Sequence, residues 1–284
     1  MTTCRALLAD VFAAEPLAGS VTGVVPDWTG PDGQRGDITD ELGAPTAFLC
    51  PDDDAHRRLR VEAPEGREAS VERGALAAYG ALAASEGLSD GTYAVDAEGE
   101  RREVEVDDGD VWVDGAMPSA EPTDIEDGAV AAALGIGAEA LLPSLPHLVA
   151  GDRLIVGVQY LADLRELQPD EGAITALDAD VERVVAVTFE TLGAETHLYA
   201  RAIGAGGVGT VEAADARAVA SALESAAAFD GEFPTELRCE TGHVAGRPGE
   251  VRVDEAGRVG GRVAVSLAGT LALPEASDDD ILVA

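Results

Sequence analysis

The stretch SVERGALAAYGALAASEG, Ser70 to Gly87, decides how the first half of this chain folds. Between Gly74 and Ala84 only Tyr79 has a polar side-chain atom. Small apolar residues of good helix propensity, with no polar face, predict a helix that is buried on every side. Ser70 and Glu72 supply an N-cap and a first-turn acid, and Gly87 supplies the C-terminal stop. Such a helix needs strands on more than one side. Thr210 to Gly231, TVEAADARAVASALESAAAFDG, repeats the layout 140 residues later.

Around the first helix, alternating apolar residues predict strands at 5–12, 21–28, 46–50, 58–63, 92–97, 103–107 and 110–113. The run REVEVDDGDVWVDG reads as a hairpin, with Val104, Val106, Val111 and Val113 flanking a Gly-containing turn. MPSAEPTD, residues 117–124, reads as a linker. Thr123 and Glu126 form a capping-box pattern before a short helix at 125–134. The order then recurs, with strands at 145–150, 154–159, 183–189 and 197–203, the second helix from Val211, and a strand at 236–240. Paired elements lie between 133 and 147 residues apart, and EVEVDDGDVWVDG at Glu103 echoes EVRVDEAGRVGG at Glu250. Two amphipathic pieces at 160–167 and 170–180 read as a helical insertion in the second half.

A duplicated unit accounts for this order. The expected fold class is α+β, with two pseudo-symmetric domains at 1–118 and 125–263, each a mostly antiparallel β-barrel around a central helix. A cleft between the copies is the natural binding place. If both helices aim their N-termini at it, free N–H groups and positive dipole ends make it an anion site.

Charge is far from balanced. There are 54 Asp and Glu residues against 19 basic ones, a net charge of -35, and every basic residue is Arg. A field of this sign repels phosphate backbones and anionic lipid, so neither nucleic acid nor membrane is an expected partner. No apolar stretch approaches 18 residues and the N-terminus MTTCRALLAD lacks a leader pattern, so a soluble cytoplasmic protein is expected. Cys4, Cys50 and Cys239 are too scattered for a disulfide framework or a metal knuckle and are expected to pack as small apolar residues. No spacing among His56, His147, His197 and His243 suggests a metal site.

Proton transfer at carbon needs acid/base groups within reach of the substrate. Glu72 and Glu212, at equivalent points of the two units, are the candidate catalytic pair, although acids in a first turn also simply complement a helix dipole. Arg247 is a candidate carboxylate binder, and His243, beside Gly242, a candidate for lining the cleft. A racemase working with two thiols would need a cysteine at each helix start, and none is there. GAGGVG at Gly204 lacks the lysine of a phosphate loop and reads as a plain loop.

Several segments resemble the phenazine-biosynthesis PhzF-like isomerase family, whose fold is shared with diaminopimelate epimerase. LLADVFAAEPLAGSVTGVV (Leu7 to Val25) is similar to the family's DVFT-x-x-P-x-x-GNP-x-AVV opening, and GHVAGRPGEVRVDEAGRVGGRVAVSLAGTL (Gly242 to Leu271) to its G-x-x-x-GRP-S closing strands. LPHLVAG and HLYARAIG sit where the family has LPHLLV and HAR-x-F-x-P. The resemblance implies two diaminopimelate-epimerase-like domains, with the last strand, 264–284, returning to the first domain. It also implies a homodimer, an active site between the halves, a small organic-acid ligand and no cofactor. The family's Glu from S-E-x-x-F falls on Pro45, its FAGH histidine falls nearest Gly74, and its GNP asparagine is Ser20. VEAADAR stands for EDPATGS, so that Glu212 keeps the acid's place and Arg217 replaces a small residue. Ser20 and Arg217 therefore join the candidate substrate-binding residues. Two functions remain open: a proton-moving isomerase, or a silent relative that binds a metabolite or a protein partner.

The charge pattern gives the first prediction. Around 1 M salt the Debye length falls to roughly 3 Å, which mutes carboxylate self-repulsion. The chain is therefore expected to come from a high-salt cytoplasm: its melting temperature should rise between dilute buffer and molar KCl, as followed by circular dichroism, and a flat or falling curve would contradict this.

Overall fold

A computed structural model of the chain describes residues 2–51, 57–65, 67, 69–177, 180–204, 207–229 and 232–273. The first half contains β1 (Thr2–Val11), β2 (Ser20–Val25), α1 (Gln34–Leu42), β3 (Thr46–Pro51), β4 (Arg57–Glu62), α2 (Val71–Glu86), β5 (Gly91–Ala97), β6 (Glu100–Asp107) and β7 (Asp110–Val113). The second contains β8 (Ala120–Pro122), α3 (Asp127–Leu134), β9 (Leu148–Ala150), β10 (Arg153–Gly157), α4 (Leu161–Arg165), α5 (Glu171–Thr175), β11 (Arg183–Thr188), β12 (Leu198–Gly204) and β13 (Gly207–Gly209). It ends with α6 (Ala213–Ser225), β14 (Glu236–Thr241), β15 (Gly249–Asp254) and β16 (Val259–Leu273).

Strands β1 to β7 hydrogen-bond in chain order, and β16 joins β7 to β1, which closes an eight-stranded barrel. A second run, β16-β15-β14-β12-β11-β10-β9-β8, ends at β8 among the described residues. The sense of pairing repeats between the halves. From β1 to β7 it is antiparallel, parallel, antiparallel, parallel, antiparallel, antiparallel, and the same six senses run from β9 through β10, β11, β12, β14 and β15 to β16. The central helices take equivalent places, α2 between β4 and β5, and α6 between β12 and β14. These are the two pseudo-symmetric α+β halves that the duplication predicted.

Strand β16 belongs to both. Val259 to Arg262 pair with β7, Val259 and Gly260 also pair with β15, and the strand then runs antiparallel to β1 as far as Leu273. The remainder of 264–284 and His56 lie outside the described residues.

Helix α2 has the expected caps. Ser70 Oγ accepts from Arg73 N–H at 3.2 Å, and Gly87 adopts a φ of 68°. Every residue from Arg73 to Leu82 is buried. One apolar cluster contains Leu76, Tyr79 and Leu82 of α2 as well as Val219 and Leu223 of α6, so the two cores are continuous. The parallel pair β10 and β11 is covered on both faces: Ile155 and Val185 face that cluster, while Leu154, Val156 and Val184 face a second one beneath α3, α4 and α5. Burial on both faces is why these strands read as unbroken apolar runs.

Five local expectations need correction. Helix α1 was not expected, yet β2 and β3 are parallel, and a parallel pair requires a crossover of a dozen or more residues. Helices α4 and α5 make the corresponding crossover from β10 to β11, so they are the counterpart of α1 and not an addition. The linker contains β8, which pairs with β9, and Cys4 lies within β1. The capping box at Thr123 does not form: α3 begins later, with Glu126 as its N-cap, and Thr123 Oγ1 instead accepts from Ile125 N–H at 3.4 Å.

The seam between α2 and the returning strand is so tight that a Cβ at Gly80 would sit 2.4 Å from Val263 Cβ. Gly80→Ala is expected to lower the free energy of unfolding by about 1–3 kcal/mol through overpacking. Gly128→Ala, at a helical glycine with open space around it, is the matched control and is expected to be neutral or mildly stabilising. Chemical denaturation in high salt distinguishes them, and equal effects would contradict the packing account.

Candidate functional site

The N-termini of α2 and α6 meet between the halves. A cation in the first turns of a helix opposes the dipole, so each arginine found there needs an acid beside it. The two helices meet this need reciprocally. Arg73 of α2 donates through Nη1 to Glu212 Oε1 at the start of α6, and Arg217 of α6 donates through Nη1 to Glu72 Oε1 of α2 at 2.5 Å. Arg217, with a side chain 4% exposed, also donates to the carbonyls of Gly257 at 2.6 Å and Asp114 at 3.2 Å. Below the pair, fully buried Asp215 accepts from Glu212 N–H at 2.9 Å and from Arg153 Nε at 3.0 Å, with Arg183 Nη2 at 3.3 Å. Glu212 and Asp215 together form the capping box of α6.

Above these contacts opens a cleft of about 530 Å³. Its lining includes Gly19, Ser20, Pro45 and Arg73 from the first half and Arg183, Thr210, Glu212 and Arg247 from the second. Ser20 Oγ and Thr210 Oγ1 lie 2.9 Å apart and link the halves at its edge. The β12–β13 hairpin contributes Gly204, Gly207, Val208 and Gly209, where a plain loop was expected. Arg247 braces the wall. Its Nε donates to Gly19 O at 2.9 Å, and its Nη2 to Ala18 O at 2.8 Å and to the fully buried Asp10. Gly19 N–H in turn donates to Pro248 O at 2.9 Å. The two segments that carried the family resemblance therefore pack on each other and frame the cleft.

Of the candidate residues, Ser20, Arg247 and Glu212 line the cleft. Glu72 lies just behind it, on a smaller space of about 170 Å³ that Glu212, Arg153 and Arg183 share. Arg217 is turned toward Glu72 and the β15–β16 turn. His243 packs on the Tyr199 ring, with centroids 5.5 Å apart, and Tyr199 itself has its phenol pushed up by burial. Arg201 is buried against the carbonyls of Leu164 and Arg165. Cys4 and Cys50 are half-buried and Cys239 is fully buried; burial pushes all three thiols up, which keeps them protonated. Among the described residues no group of three or more His, Cys, Asp or Glu side chains is arranged to hold a metal ion. No helix there is long and apolar enough to cross a membrane.

Pro45 lines the cleft at the place the resemblance gives to a catalytic glutamate. At Gly74, nearest the expected histidine, a Cβ would meet Val61 Cγ2 at 2.5 Å, so Val61 occupies the room a side chain would need. Sequence reading missed Arg73, Arg183 and Thr210. The missed signal is Arg73 itself: a cation in the first turn of a buried helix is anomalous unless an acid answers it.

The sequence matches the family PhzC-PhzF, phenazine biosynthesis-like protein, over residues 9–275. The chain belongs to that family. Its fold is similar to that of a PhzF-family phenazine biosynthesis protein from Bacillus anthracis, with a TM-score of 0.81, 18% identity, and 96% of this chain and 100% of that one covered. A PhzF-family protein from Enterococcus faecalis gives 0.77 at 18% identity over 96% and 100% of the two chains. A predicted epimerase from Pseudomonas aeruginosa gives 0.71 at 22% identity over 95% and 100%. A search of curated proteins finds no match.

The reciprocal ion pairs give a stability prediction. Glu72→Ala leaves buried Arg217 without its acid and is expected to lower the unfolding free energy by about 3 kcal/mol. Adding Arg217→Met is expected to recover part of that loss. Urea denaturation measures both, and a double variant no more stable than Glu72→Ala would contradict the pairing.

Proposed function

We propose that this PhzF-family protein binds a small organic acid in the cleft between its halves and moves a proton on it through Glu212, without a cofactor. The observation that carries the reading is the cleft's charge. In a chain with 54 acidic and 19 basic residues, the lining has, among the described residues, four arginines, Arg67, Arg73, Arg183 and Arg247, and one acid, Glu212. Arginine forks match a carboxylate in two-point contact.

One acid limits the chemistry. Racemisation needs groups on opposite faces of the carbon, whereas a single carboxylate can take a proton and return it to another carbon on the same face. The cleft therefore suits a same-face proton shift, such as migration of a double bond next to a carboxylate. Glu72, turned to Arg217, is assigned a role in positioning the α6 helix.

The silent reading rests on its own observations: Pro45 stands in the cleft in place of an acid, and Glu212 is already engaged by Arg73. Proton NMR in D₂O and molar KCl, with β,γ-unsaturated carboxylates, separates the two. The expected result is deuterium incorporation or double-bond migration that falls at least ~100-fold in Glu212→Gln, in line with the usual contribution of a general base. Binding without exchange would overturn the proton-transfer step and leave the silent reading.

A further inference from the structure

We infer that the cleft selects a carboxylate with an oxygen on the neighbouring carbon, as in a 2-oxo acid. Arg247 takes the carboxylate and the Ser20–Thr210 hydroxyl pair takes that oxygen. The inference rests on the carboxylate-binding reading above and is independent of its proton-transfer step.

The cleft wall uses one side of the Arg247 guanidinium. Nε donates to Gly19 O, and Nη2 donates to Ala18 O and to Asp10. A guanidinium carries its five N–H bonds in one rigid plane. The bonds on Nε and Nη2 meet these three acceptors, and no hydrogen bond among the described residues uses Nη1. Because Arg247 lines the cleft, Nη1 is the part of it left for a ligand's carboxylate.

The hydroxyl pair lies beside that arginine. The carbonyl that Arg247 Nε holds belongs to Gly19, the residue before Ser20. Gly19 has a φ of 52°, and a Cβ there would come 2.1 Å from Val11 O, so the backbone leading into Ser20 has little freedom. In the other half, Val211 N–H donates to Thr241 Oγ1 at 3.2 Å and holds the chain just after Thr210. The Thr210 methyl packs near Gly242, where a Cβ would come 3.7 Å from Thr210 Cγ2, and Oγ1 lies 2.9 Å from Ser20 Oγ. Two hydroxyls bring two protons. Their mutual bond uses one, whichever residue donates, and neither oxygen has another hydrogen-bond partner among the described residues. The second proton needs an acceptor, and Ser20 is only 7% exposed. An unmatched hydroxyl proton is costly in so buried a place, whereas a ligand oxygen completes a donor chain running through both hydroxyls.

Hydrogen-bond sense then sets the preference. A 2-oxo group accepts the spare proton, a methylene offers nothing, and an ammonium on the same carbon only donates and leaves that proton unplaced.

The test is isothermal titration of the full chain in KCl with 2-oxovalerate, valerate and norvaline, which share one carbon chain. 2-Oxovalerate is expected to bind about tenfold more tightly than valerate, the gain from one matched hydrogen bond, and norvaline no more tightly than valerate. Ser20→Ala combined with Thr210→Val removes both hydroxyls at nearly constant shape, and is expected to bring 2-oxovalerate and valerate within about twofold of each other. Thr210→Ser keeps the hydroxyl and is expected to keep the preference. If the unaltered chain binds valerate or norvaline as tightly as 2-oxovalerate, or if the preference persists in the double variant, the hydroxyl station alone is overturned. No binding of any of these acids would overturn the carboxylate-binding reading as well.

Discussion

Two arginines at the wrong end of their helices hold this molecule together at its centre. Arg73 sits in the first turn of α2 and Arg217 one turn into α6, and each is answered by a glutamate from the other half, Glu212 and Glu72. Because the pairs cross the seam, each half supplies the acid that answers the other half's arginine. The arrangement fixes how α2 and α6 approach, and so fixes the floor of the cleft above them. The shared strand β16 fixes the same relation from the other side, since it completes the barrel around α2 and pairs with β15 of the second sheet. With both ties in place, the cleft inherits its shape from buried parts of the fold.

Much of this was legible in the sequence because duplication leaves a coarse and redundant signal. The apolar helix at 71–86, its caps at Ser70 and Gly87, and the recurrence of strand spacing near 140 residues all survive as pattern. Position in the fold was legible for Glu72 and Glu212, which lie at the two helix starts, each paired with an arginine of the other half. What could not be read was partnership. Nothing local in SVERG says that Arg73 reaches residue 212, and nothing in GGVG says that it folds over Arg183, because these are contacts between residues distant in the chain. Helix α1 was missed for another reason: QRGDITDEL has little apolar periodicity and contains Gly36, and its helical state follows from the crossover that parallel strands demand.

The departures from the family pattern form one consistent change. With Pro45 in the wall and Val61 filling the space beside Gly74, the first half contributes, among the described residues, no carboxylate or imidazole to the cleft lining. It contributes cations and neutral groups, while the second half contributes Glu212, Arg183, Arg247 and the hairpin. The result is a cleft lined by arginines rather than flanked by two carboxylates. In a chain of net charge -35, four arginines line this one space.

The central claim is that the seam between the two helix starts is the protein's ligand site. Crystals soaked in 4-bromobenzoate and measured at the bromine absorption edge test it most directly. The account predicts an anomalous peak within the cleft, with the carboxylate against Arg73 or Arg247. A well-occupied bromine elsewhere on the molecule, with that cleft empty, would contradict it.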